Sequence, residues 1–167
     1  MTIPNFQFSV FNFQFIKIMA KLDNFLPLVA KWEGKHVNNR YEMRDGISRK
    51  ITKDDLNVCI IRDRLWNYCK CDMINSQAIA NILADWVWAN GTIAIEQIQI
   101  LLGIKANGVM SKKMVEIMNN APQRDLFLRI KSVRTYYVES MCVEYPAYLC
   151  FQKEWLRRVD AVKWIPI

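Results

Sequence analysis

The segment from Ser76 to Gly91 leaves the chain little freedom in how it folds. Ile79, Ile82, Leu83, Trp86 and Val87 recur at three- and four-residue steps, which is one face of an α-helix. Ala80 and Ala84 are small enough to let neighbouring helices approach closely. Asn75 or Ser76 supplies the N-cap, and Asn90-Gly91 the stop. A helix with so much apolar surface needs other elements packed around it, so it is expected to be the central and most buried one. Gly and Pro are scarce, at 5 each in 167 residues, and further 3.6-period runs lie on both sides. The expected fold class is therefore all-α, a helical domain built round one central buried helix.

A first helix is expected from Leu22, because Leu22, Phe25, Leu26, Val29, Trp32 and Glu33 share one face and Gly34 follows as a stop. Lys35 to Lys50 is polar and reads as a loop lining one side of a cleft. Thr52-Lys53-Asp54-Asp55 resembles a capping box and predicts a helix through Trp66. Thr92 opens a helix that Gly103 stops, and Ala106-Asn107-Gly108 is a turn signal. Ser111 caps a short helix to Asn119. From Asp125 the residues Leu126, Ile130, Val133, Tyr137 and Met141 trace a long amphipathic helix that Pro146 breaks. A last helix from about Phe151 carries Trp155, Leu156, Val159, Val162 and the basic pair Arg157-Arg158.

The member of the first stripe that is not apolar is Glu33. It stands beside Trp32 at the C-terminal end of a face that enters the core. Desolvation disfavours the charged form of a carboxyl there, and the negative end of the helix dipole acts in the same direction. A carboxylic acid that keeps its proton near neutral pH is what acid-catalysed cleavage of a glycosidic bond requires. The competing reading turns Glu33 outward to pair with Lys31 or Lys35. Asp85, between Ala84 and Trp86, either faces a cleft or belongs to a buried hydrogen-bonded network, and the network is the preferred reading. Trp86 and Trp88 lie two residues apart, so they leave the helix on different faces.

The segment Lys31-Trp32-Glu33-Gly34-Lys35-His36-Val37-Asn38 resembles the stretch E-G-G-aromatic-V-N of glycoside hydrolase family 108, the lysozyme-like N-acetylmuramidases that cleave peptidoglycan. The similarity returns in Ser76 to Gly91, in Gln99 to Gly108 and in Trp155-Leu156-Arg157-Arg158-Val159, and so covers most of Leu22 to Trp164. The resemblance implies a lysozyme-like helical domain. It also implies hydrolysis of the β-1,4 bond between N-acetylmuramic acid and N-acetylglucosamine, with Glu33 as general acid and no cofactor. Glu42 or Asp45 would be the second carboxylate, and Ser48 in Gly46-Ile47-Ser48 would position water. His36 either stacks on a sugar or sits on the surface, and Trp88 is either a sugar platform or part of the core; the surface and the core are the preferred readings. Residues 19–102 would form the catalytic region. Residues 103–167 would form a helical C-terminal region packed on it, in which Ala106-Asn107-Gly108-Val109 matches a peptidoglycan-binding pattern. This chain departs from the family at Lys35 and His36 and has a shorter loop. A wall-binding protein of the same fold with weak or lost catalysis is therefore the alternative.

The net charge of +7, from 23 basic and 16 acidic residues, suits an anionic partner, whether cell-wall polymer, lipid headgroups or nucleic acid, and equally serves ordinary solubility. The basic residues are scattered and no helix-turn-helix pattern is present, so nucleic acid is not expected. Residues 1–18 alternate Phe with polar residues and differ from the rest. They read as a mobile leader ahead of a second start at Met19, too polar for a membrane span and without signal-peptide features. A wall hydrolase of this kind would be made in the bacterial cytoplasm and reach its substrate by holin-type export or lysis, as phage and prophage endolysins do. No stable membrane insertion is expected. Five cysteines and one histidine, His36, do not form a metal-ligand pattern. Cys69 and Cys71 are too close for an ordinary disulfide, and Cys59, Cys142 and Cys150 read as small core residues. Free thiols and no structural metal are expected.

Overall fold

The computed structural model of the chain describes residues 19–33, 41–44, 47–50 and 61–166, with Glu33 and residues 41–44 and 47–50 described at the level of the backbone. The fold is all-α with one small hairpin. α1 is Leu26–Glu33, β1 is Tyr41–Arg44 and β2 is Ile47–Lys50. After a π-helical turn at Arg62–Trp66 come α2, Gln77–Asn90, and α3, Thr92–Leu101. They are followed by α4, Lys112–Asn120, α5, Gln123–Glu144, and α6, Leu149–Ala161. No helix among the described residues is long and apolar enough to cross a membrane.

α2 is the central helix that its pattern predicts. Every residue from Ala78 to Val87 is buried. Ser76 caps it, its hydroxyl accepting from the Ile79 N–H at 3.4 Å, and Gly91, with φ +63°, ends it. α5 packs along α2 and α3, and α6 packs on α5. One apolar cluster runs from Ala20 to Val162, so the C-terminal helices share the core of the N-terminal ones. At the N-terminal end of α2, Asn119 holds the preceding turn from two sides. Its Oδ1 accepts from the Asn75 N–H at 2.9 Å, and its Nδ2 donates to the Met73 carbonyl at 2.8 Å.

Two elements differ from the sequence reading. The first stripe splits into a 3-10 turn at Leu22–Asn24 followed by α1. Pro27 is the cause: it has no N–H to donate back into the preceding turn, and it is tolerated only near a helix start. Leu22, Phe25 and Val29 are nonetheless buried as the stripe predicts. The polar stretch read as a loop contains an antiparallel hairpin, with Tyr41 opposite Lys50 and Arg44 opposite Ile47. Asp45-Gly46 lies between the paired residues, and Asp-Gly is the dipeptide that two-residue hairpin connections favour. Residues 1–18 and the helix expected from Thr52 to Ile60 lie outside the described residues.

The turn at Ala106-Asn107-Gly108 is held by the buried Gln99. Its Oε1 accepts from the N–H groups of Asn107 and Gly108 at 2.8 and 3.0 Å, and its Nε2 donates to the Asn107 side chain and the Val109 carbonyl. Gly108 sits at φ +67°, and a Cβ there would stand 2.9 Å from Glu96 Oε1 and 3.0 Å from Thr92 Cβ. Gly108→Ala is expected to cost about 1–2 kcal/mol, the left-handed penalty of an L-residue. A urea titration with an unchanged midpoint would refute this account of the turn. The match to a wall-binding pattern in Ala106 to Val109 thus coincides with a turn that the fold itself requires.

Candidate active site

The first candidate, Glu33, is the last residue of α1. The entry to that helix is fixed to the N-terminal end of α2. The Ala20 N–H donates to the Ile74 carbonyl at 2.8 Å. The Lys21 N–H donates to Gln77 Oε1 at 2.7 Å, and Gln77 Nε2 returns a bond to the Lys21 carbonyl at 3.0 Å. One turn on, the Phe25 ring lies 5.5 Å from that of Trp66, both wholly buried, and Val29 continues into the core. α1 is therefore a short helix anchored on the core through its first turn and Val29, and Glu33 is its last residue.

Beside it, Trp32 is half-buried, and its indole N–H is buried without a hydrogen-bond partner among the described residues. The Lys31 ammonium lies 5.4 Å from the Trp32 ring centroid, a cation–π contact. In the hairpin, Glu42 stands opposite Arg49 and Ser48 opposite Met43. Glu42 and Ser48 therefore occupy consecutive rungs of the ladder, and consecutive rungs alternate in face. His36 and Asp45 lie outside the described residues. Trp88 is half-buried and packs against the core cluster, whereas Trp86 is fully buried with its ring 6.0 Å from that of Tyr137.

Neither a protein-family model nor a curated protein matches this sequence. The functional reading therefore stands on the residues themselves.

The strongest electrostatic feature of the molecule lies on α2. Asp85 is fully buried, and both of its oxygens are engaged by guanidinium groups. Arg158 of α6 donates from Nε to Oδ1 and Oδ2 at 3.0 and 3.1 Å and from Nη2 to Oδ1 at 2.8 Å. Arg134 of α5 donates from Nη2 to Oδ2 at 2.8 Å. Burial is the largest influence on the carboxyl and opposes its ionisation. The two guanidinium groups together outweigh it and hold Asp85 below the usual carboxylate range. Asp85 is thus an anion near neutral pH that joins three helices, and it cannot serve as a proton donor there. The network that the sequence suggested for Asp85 is present. Its partners, 49 and 73 residues away, leave no local signal, and Arg158 reads in sequence as half of an ordinary basic pair.

Among the described residues no group of three or more His, Cys, Asp or Glu is placed to hold a metal ion. Cys69, Cys71, Cys142 and Cys150 are free thiols, and Cys59 lies outside the described residues. Cys69, Cys71 and Cys142 are buried, and burial first, then the neighbouring Cys69 and Asp72, pushes the Cys71 thiol up. Cys150 corrects the sequence reading, because it is exposed. It lies nine residues before the buried Val159, two and a half helical turns away and so on the opposite face of α6. In the folded, reduced protein Cys150 is expected to react with a thiol reagent at least tenfold faster than Cys69, Cys71 or Cys142, because the thiolate and its access control the rate. Peptide mapping of the alkylated protein reads this directly, and equal rates at all four would contradict the burial pattern.

Proposed function

We propose that this chain is a peptidoglycan hydrolase of the lysozyme type, an N-acetylmuramidase in which Glu33 is the general acid. The observation that carries the reading is the placement of Glu33. A core-anchored helix ends on it, and a hairpin bearing Glu42 and Ser48 follows in the chain. A helix C-terminus disfavours a negative charge, which favours the protonated carboxyl that bond cleavage needs. In this reading Glu33 protonates the leaving glycosidic oxygen. Asp45 or Glu42 then assists water or the developing positive charge on the sugar, and His36 and Trp88 contact the glycan; Ser48 orients the water where Asp45 is the partner, since the rung of Glu42 presents the opposite face of the hairpin. The resemblance of Lys31 to Asn38 and of Ser76 to Gly91 to family 108 supports the same assignment. The net charge of +7 favours adsorption to an anionic wall polymer, which the protein would reach after holin-type export or lysis.

Lys35 and His36 in place of the family residues, with the shorter loop, favour the second reading, a wall-binding protein with weak catalysis. Loss of turbidity in a suspension of purified cell walls distinguishes the two. Lysis supports the hydrolase, and retention on sacculi without lysis replaces it with the binding protein.

A further inference from the structure

The chain from Val143 to Phe151 is exposed at every residue. Val143 is 79% exposed, Leu149 56%, Tyr145 and Phe151 51% each and Tyr148 40%. The rings form a continuous run: Tyr145 to Tyr148, Tyr148 to Trp155 and Phe151 to Trp155, each with centroids 5.7 Å apart. With about 150–250 Å² for a fully covered aromatic side chain, the five residues leave on the order of 500 Å² open. That lies at the upper end of what ordinary monomers expose.

We propose that this patch, at the junction of α5 and α6, is an interface with a second copy of the same chain. The charge distribution selects that occupant. The chain carries +7, so two copies repel one another over most of their surface. Between Val143 and Trp155 the only charged residues are Glu144, Lys153 and Glu154, a local net of −1. The patch is therefore sparsely charged, and two copies can meet there with little like-charge repulsion. In a two-fold contact, Lys153 of each copy can pair with an acid of the other. The area fits as well, since a stable dimer needs about 800 Å² per partner and the apolar patch supplies much of that before its polar rim is counted. A sugar polymer fits less well. The two most exposed residues, Val143 and Leu149, are aliphatic, and the rings are packed against one another.

Sedimentation equilibrium of the full chain in reductant tests the proposal over roughly 1–100 µM, where weak interfaces of this size dissociate. The expected result is a mass rising from 19.7 kDa toward twice that value, with Cys150 alkylation slowing as the dimer fills. Leu149→Glu/Phe151→Glu places like charges in the contact and is expected to weaken association at least tenfold while the far-UV circular dichroism spectrum stays that of the parent, since both positions are at least half exposed. A wild-type chain that stays monomeric throughout overturns the proposal, and so does a double variant that dimerises as well as the parent. A monomeric parent whose double variant loses retention on sacculi overturns it in favour of a glycan site.

Discussion

Replacing Asp85 with Ala is expected to lower stability by about 3–5 kcal/mol, because it strips the shared carboxylate from two buried guanidinium groups. For a chain of this length the loss corresponds to a fall in melting temperature of roughly 6–20 °C. Much of the cost arises from the charges left behind rather than from the bonds removed. The triple replacement Asp85→Leu/Arg134→Met/Arg158→Leu is therefore expected to recover most of it, since a buried ion network exchanged for apolar groups of similar volume is often neutral. The pH dependence follows from the direction of the shift. Asp85 titrates below its ordinary value of 3.8 in the folded state. Its contribution is thus fully present above the unfolded value and is lost as pH falls through the lowered folded one. The difference between parent and Asp85→Ala should be flat from about pH 5 to 8 and shrink only in stronger acid. A fall in melting temperature below roughly 2 °C, under 1 kcal/mol at this chain length, would contradict the account of the triad.

The triad also marks where a single sequence stops being informative. α2 is legible because its burial follows from a local period, and Ser76 and Gly91 bound it by local chemistry. Asp85 stands out in that helix as a charge on a buried surface. Nothing in the periodicity singles out Arg134 or Arg158, since an arginine paired across 49 or 73 residues looks like any arginine on a helix. The neighbours Arg157 and Arg158 make the point. Arg157 is exposed and paired with Glu154 one turn away, whereas Arg158 is buried. The hairpin carried a local sign in Asp45-Gly46, but its flanks are polar and give no strong alternation of apolar residues. At the candidate site, the position of Glu33 at a helix end is readable from the stripe and from Gly34. The partner carboxylate is not, because it depends on how a hairpin is set against a helix. Register separates Glu42 from Ser48 by one rung, a relation that no spacing rule supplies.

Glu33→Gln is expected to reduce wall lysis by about 10²–10⁴-fold, the usual worth of positioned acid–base catalysis. The amide keeps the shape of the side chain but has no proton to give the leaving oxygen. Folding should be unaffected, since the residue ends α1 and the buried anchors Phe25 and Val29 are untouched. Retention on sacculi should also be preserved, which separates loss of chemistry from loss of binding. Glu42→Gln and Asp45→Asn should each cost less than Glu33→Gln if one can partly stand in for the other. A fall as large as that of Glu33→Gln in either one would identify the second carboxylate.

The measurement that bears most directly on the proposed chemistry is the identity of the sugar at the new reducing ends, obtained by reducing and separating the muropeptides released from purified sacculi. The parent protein should release fragments ending in reduced N-acetylmuramic acid, and Glu33→Gln under the same conditions should release almost none. Fragments ending in reduced N-acetylglucosamine, cleavage in the peptide stems, or equal release by the parent and Glu33→Gln would contradict the assignment of Glu33 as the general acid of an N-acetylmuramidase.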